Sequence, residues 1–200
     1  MAAEESGAPV PSDLTNRRII DTARWHILRY DGLRSSIANR ASFVISANAV
    51  VIGGVALLFP AAIGQDIFGG RATLLAVGCA SLAVLILAAL SIVAATNALL
   101  ASKRWRELYG SEPPPGMFYQ HSDTFRVVST FRDFETEFAA QTADSERLSA
   151  TVTLWIVMQT QNYRYEFLRR ATRRLQQSFA TLCCSIGAVI VLSIIDLWRR

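Results

Sequence analysis

The sequence predicts an all-α membrane protein: a two-span helical hairpin, cytoplasmic helices to either side of it, and a third, C-terminal span. Three observations carry that expectation. Residues 41–62 and 72–102 contain no charged side chain and are separated by a short connection holding only Asp66 and Arg71. A bilayer core of about 30 Å needs about 20 apolar residues of helix, and both runs reach that length. Outside these runs apolar residues recur at three- and four-residue steps, which is the helical period. Finally, 52% of the chain is hydrophobic and its mean hydropathy is +0.29, more apolar than an ordinary soluble domain.

Charge sets the expected orientation. The chain has 20 Lys+Arg against 16 Asp+Glu, a net +4, with a pI near 9.3. Arg24, Arg29, Arg34 and Arg40 precede the first run, and Lys103, Arg104 and Arg106 follow the second. The connection between them has Arg71 alone, so both flanks and the N-terminus are expected in the cytoplasm and the connection outside. No basic helix, finger or RNP-like aromatic motif points to nucleic acid. Cys79, Cys183 and Cys184 all lie in apolar segments, which fits neither a disulfide framework nor a zinc site.

Residues 1–13, MAAEESGAPVPSD, read as a disordered tail, because they cannot bury enough surface to offset ordering entropy. They have no basic n-region and no apolar h-region, so the hairpin is expected to act as its own insertion signal. Residues 14–40 read as a cytoplasmic amphipathic helix. Ile20, Ala23, Ile27, Tyr30 and Ile37 share a stripe interrupted by Arg34, and Arg17, Arg18, Asp21, Arg29 and Asp31 lie opposite. Gly32 allows a break.

The hairpin, residues 41–102, follows. Its first span carries Ala49 and Gly53, and its second carries Ala76, Ala80 and Ala83. Small residues at these spacings let helices approach closely, so Ala49, Gly53, Ala76 and Ala80 are the expected packing positions. GSEPPPG at 110–116 then ends any helix.

Residues 103–177 are expected to form a cytoplasmic helical sensor segment. Thr130 with Asp133 resembles a capping box, and Phe131, Phe134 and Phe138 fall on one face of the helix it would start. Asp144 or Ser145 is the expected cap of the next helix. That helix runs into a last apolar stretch, residues 179–195, whose seventeen residues are short for a span. With Trp198 as an interfacial anchor, residues 178–198 are expected to cross the membrane. Arg164, Arg169, Arg170, Arg173 and Arg174 would stay inside, with Arg199 and Arg200 outside. The rival reading is a buried helix of the soluble part.

Catalysis has little to stand on. The two histidines, His26 and His121, have no partners at metal-ligand spacing, and no nucleotide-loop, zinc-protease or nucleophile-elbow motif occurs. Neither an enzyme nor a bound cofactor or metal is expected. No ionisable residue sits mid-span, against proton-coupled transport. The chemistry that remains is cationic and aromatic. Arg126, Arg132, Arg164, Tyr165 and Arg169 could hold an anionic nucleotide, since arginine forks bind phosphate and aromatic faces stack on bases. An arginine-rich membrane flank with packed aromatics accounts for the same residues.

Three stretches carry a resemblance. Arg40-Ala41-Ser42-Phe43-Val44-Ile45-Ser46-Ala47-Asn48-Ala49 is similar to the entry into the first span of the Pycsar effector family, the membrane effectors of pyrimidine-cyclase anti-phage systems. Arg40 stands where that family usually has lysine, and Ala38 where an acidic residue is common. The stretch from Thr130 to Phe138 resembles the family's Ser/Thr-x-x-(Asp/Glu)-Phe segment. Arg164-Tyr165-Glu166-Phe167-Leu168-Arg169-Arg170-Ala171 resembles its run into the last span. The resemblance covers about residues 24 to 195. It implies a multi-pass protein of the bacterial inner membrane, assembled as a homo-oligomer in the lipid bilayer. Cyclic CMP or cyclic UMP, made by a separately encoded pyrimidine cyclase, would activate it, and membrane damage would follow as abortive infection. A ligand-independent membrane scaffold, a pore without a messenger, and a related two-span effector answering another nucleotide are the alternatives.

Overall fold

The computed structural model describes residues 12–64, 71–100 and 128–199. The tail at 1–11, the hairpin connection at 65–70, the Pro-Gly break and Arg126 lie outside them. Among the described residues every regular element is a helix: α1 (Ser12–Gly64), α2 (Arg71–Leu100), α3 (Phe131–Ala139) and α4 (Ala143–Arg199). Three stretches of these residues are long and apolar enough to cross a membrane: Leu14–Leu57 within α1, Leu75–Leu100 within α2 and Ala143–Ile195 within α4. The protein is membrane-spanning and all-α.

One helix is longer than its sequence segments suggested. α1 passes through Gly32 without a break, so the amphipathic segment and the first span are one helix of 53 residues. α4 carries its polar half into the last apolar stretch as the sequence led us to expect, over 57 residues. The stripe read at Ile20, Ala23, Ile27, Tyr30 and Ile37 continues in the same register through Ala41, Val44, Asn48, Val51 and Val55. These positions are buried or half-buried, while Arg34 is exposed. A repeat of alternating three and four residues keeps one seam facing a neighbour along the whole helix.

The described residues divide into two compact units, 12–34 with 128–161, and 35–64 and 71–100 with 162–199. In the first, the N-terminal part of α1 meets the N-terminal part of α4. Asn16 Nδ2 donates to Asp144 Oδ1 at 3.2 Å, Arg24 pairs with Glu146 at 2.8 Å, and Gln161 Nε2 donates to the Tyr30 carbonyl at 3.2 Å. The partners ascend together in number, so the two segments run parallel. α3 also belongs here. Thr130 caps it by accepting from the Asp133 amide and donating its hydroxyl to Asp133 Oδ2 at 2.7 Å. Of its aromatic face, Phe134 and Phe138 stack with centroids 5.7 Å apart, and Phe131 is exposed.

The cap of α4 differs from expectation. Thr142 is the cap, because its hydroxyl accepts from the Ser145 amide while Ser145 Oγ accepts from the Thr142 amide. Ser145 already has helical backbone and answers the cap from the third position. Asp144 sits in the first turn, where its charge suits the helix dipole.

The second unit holds the remainder of α1, α2 and the rest of α4. One cluster joins Ala41 and Val44 of α1 to Ala94, Ala95 and Ala98 of α2 and to Leu168 and Ala171 of α4. A second joins Val51, Val55, Val84 and Leu182. α1 and α4 ascend together here too, and α2 runs against both. Around this seam the outer surface is apolar: Phe43, Val50, Leu57, Leu75, Leu82, Val93, Ile190 and Val191 are all exposed. That is the surface a lipid-facing bundle presents and a water-soluble one does not.

Candidate functional site

Alanine and serine dominate where the three helices of the second unit meet. Ala41, Ala95 and Ala171 are fully buried, as are Asn48 and Ser91. Asn48 Nδ2 donates to Ser91 Oγ at 2.9 Å and to the Val44 carbonyl at 2.8 Å. Ser91 Oγ in turn donates to the Ala171 carbonyl at 2.8 Å. The result is a chain of hydrogen bonds from α1 through α2 to α4, inside a seam that is otherwise mostly Ala, Val and Leu with Ser81 and Ser178. Arg174 Nη1 adds a further tie by donating to the Leu90 carbonyl at 3.0 Å.

Just N-terminal to this seam, on α1 and α4, the same two helices form an open groove of about 1270 Å³. Its cationic lining is Arg40 from α1 and Arg169, Arg170 and Arg173 from α4. Glu166 is the one acidic side chain among the lining residues, and it pairs with Arg170 at 3.8 Å. Arg170 also lies over the Phe167 ring, 5.4 Å from its centroid. Tyr165 and Phe43 supply aromatic surface, and Asn39, Thr172 and Gln176 supply uncharged polar groups. Val44, Leu168 and Leu175 complete an apolar wall. Chemically the lining combines several arginine forks, one partly compensating carboxylate and aromatic faces nearby, groups of the kind that can hold a singly or doubly charged anion.

Of the residues read from sequence as nucleotide ligands, Tyr165 and Arg169 line the groove. Arg164 does not. It is 8% exposed and falls on the buried stripe of α4 with Leu168, Ala171, Ser178 and Leu182. Arg132 is exposed on α3 in the other unit. Arg40, Arg170 and Arg173 were missed as a set. Their signal is present in the helical period: 169, 173 and 176 share one face of α4, and Arg40 adjoins the seam residue Ala41.

The small residues proposed for packing are placed differently from the seam. Ala49, Gly53 and Ala76 are exposed, Ala80 is half-buried, and nothing lies within 4 Å of a Cβ built on Gly53. Within the chain, the close approach is made one position on, at Gly54, where an added Cβ would meet Leu182 Cδ2 at 3.1 Å. On α2 the seam uses Ser81, Val84, Ala88, Ser91, Ala95 and Ala98.

The geometry also brings together two of the three stretches quoted for their resemblance, the one at 40–49 and the one at 164–171, while Thr130–Phe138 belongs to the other unit. Ala41, Val44 and Asn48 come from the first, and Leu168 and Ala171 from the second; they share the hydrogen-bonded seam, and Arg40, Tyr165, Arg169 and Arg170 share the groove above it. No protein-family model, curated protein or solved structure matches the chain.

Proposed function

We propose that the protein is a ligand-activated effector of the bacterial inner membrane, without catalytic activity. It answers cyclic CMP or cyclic UMP from a separately encoded cyclase and, assembled as a homo-oligomer, impairs the membrane of an infected cell. One observation carries the reading: two of the three stretches that resemble the Pycsar effector family, at 40–49 and 164–171, meet at a groove with four arginines and two aromatic rings. A cyclic nucleotide monophosphate brings one negative charge and a flat base, which such a lining suits. The arginine-rich starts of the first and third spans lie at the same end of the second unit, and the positive-inside rule puts that end, with the N-terminus, in the cytoplasm. A messenger made in the cytoplasm would reach the groove there. The groove adjoins the Asn48–Ser91–Ala171 chain, so a ligand that prefers one arrangement of α1 and α4 would bias the packing of all three spans.

Calorimetric titration of the detergent-purified chain with cyclic CMP, cyclic UMP, cyclic AMP and cyclic GMP tests this. The expected result is binding of a cyclic pyrimidine nucleotide that weakens roughly ten- to hundred-fold in Arg169→Ala, the usual worth of one charge-assisted phosphate contact. If the unaltered protein binds none of the four, the effector reading fails and a ligand-independent scaffold takes its place. Binding that is indifferent to Arg169→Ala would move the site out of the groove.

A further inference from the structure

The groove is larger and more apolar than a nucleotide requires. At about 1270 Å³ it exceeds the roughly 300–1,000 Å³ of ordinary small-ligand pockets. A phosphate and a base leave unused the aliphatic wall of Val44, Leu168 and Leu175. Position explains the wall. Arg40 immediately precedes the uncharged run of the first span, and Arg173 comes six residues before the apolar stretch that begins at Phe179. The groove therefore opens where the spans enter the bilayer, at headgroup depth, with its cationic and apolar residues interleaved on the two helices that enclose it.

From this juxtaposition we infer that the groove holds an anionic phospholipid, its phosphodiester among Arg40, Arg169, Arg170 and Arg173 and the start of its acyl chains along Phe43 and Leu175. Charge complementarity favours an anionic over a zwitterionic lipid, since Glu166 offsets only one of the four guanidinium groups. Arginine suits this role because its planar fork meets two phosphate oxygens at once. The inference goes beyond the nucleotide reading and stands without it. A cyclic nucleotide is also a phosphodiester, so where both bind, they compete for the same guanidinium groups.

Native mass spectrometry of the full chain in detergent tests the site. The probes are phosphatidylglycerol, phosphatidylcholine of the same acyl length, and soluble glycerophosphoglycerol. Phosphatidylglycerol is expected to bind roughly tenfold or more tightly than phosphatidylcholine, a margin of one charge-assisted contact. Arg40→Gln combined with Arg173→Gln should erase that margin, and Arg17→Gln combined with Arg18→Gln, on the exposed face of α1, should leave it intact. Arg169→Gln with Arg170→Gln provides a second groove variant should the first fail to fold. Equal retention of the two lipids, or a preference that survives both groove variants, overturns the proposal. So does glycerophosphoglycerol binding as tightly as the lipid, because the ligand would then be a free phosphodiester. Failure of cyclic nucleotides to bind, with the lipid preference intact, would remove the nucleotide reading alone.

Discussion

The two units solve the same problem, holding α1 beside α4, by different means. In the first, the stripe is ordinary amphipathic packing around Ile20, Ala23, Val152 and Ile156, supplemented by polar contacts at the surface such as Arg24–Glu146 and Asn16–Asp144. In the second, small residues and buried hydrogen bonds do it, and large apolar side chains face outward. The contrast follows from solvent. Water drives apolar stripes together, whereas lipid tails are as apolar as leucine and give no such drive. Helices in a bilayer therefore depend on close backbone approach and on polar groups that have no better partner. One seam register runs through both environments in α1, and its residue types change near Ala41.

Enlarging the seam of the second unit should have the largest effect. Ala171→Leu or Ala41→Leu adds bulk at a fully buried position and separates α1 from α4, which should cost about 1–3 kcal/mol or more. Unfolding of the purified chain in detergent measures it. Ala49→Leu, on the exposed side of α1, should leave the midpoint unchanged. If Ala49→Leu proves as damaging to the monomer as Ala171→Leu, the assignment of the inner face is wrong.

The glycine pair at 53 and 54 divides contacts inside the chain from contacts between chains. Gly54→Leu meets Leu182 and should destabilise the fold by about 1–3 kcal/mol. Gly53→Leu meets open space, so any effect should fall on assembly: cross-linked oligomers should decline at unchanged unfolding midpoint. Unaltered cross-linking would take Gly53 out of any interface between copies.

Much of this was legible in the chain itself. Uncharged length announced the spans, and the stripe from Ile20 to Ile37 announced the inner face of the N-terminal part of α1. What escaped was continuity. The hydrophobic run from 41 to 62 is apolar on all sides, so its inner face cannot be told from its lipid face by hydropathy, and the small residues Ala49 and Gly53 drew notice instead of Ala41, Asn48 and Gly54. Extending the three-and-four register past Ile37 would have found the inner face. The groove was half legible for a similar reason. Tyr165 and Arg169 stand out as an arginine–aromatic pair, but Arg40 lies 125 residues away in sequence and only folding brings it alongside. Arg164 looked like their equal until its place on the buried stripe set it apart.

The hydrogen-bonded chain offers a finer measure of the same contrast. A double-mutant cycle of Asn48→Ala and Ser91→Ala should return a coupling near 0.6 kcal/mol and no more than about 1.7, the range for polar pairs between membrane helices. The value is small because an unfolded chain in detergent finds other partners. A coupling indistinguishable from zero would leave the alanine contacts as the whole basis of the seam.

The smallest effect belongs to Arg24 and Glu146. Their contact is short, 2.8 Å, yet the side chains are 63% and 44% exposed, so water and ions compete at every atom. Exposed pairs of this kind are worth about 0–1 kcal/mol, and at roughly 1 M salt the screening length falls to about 3 Å. The charge-swapped double variant, Arg24→Glu with Glu146→Arg, should restore most of what either single change loses in dilute buffer. In concentrated salt all four proteins should unfold together. The Asn48–Ser91 coupling, buried and uncharged, should pass through the same salt series unchanged. A salt-insensitive Arg24–Glu146 coupling larger than that of Asn48–Ser91 would mean that the first unit is not held as water-facing helices are, and the division drawn between the two environments would have to move toward the N-terminus.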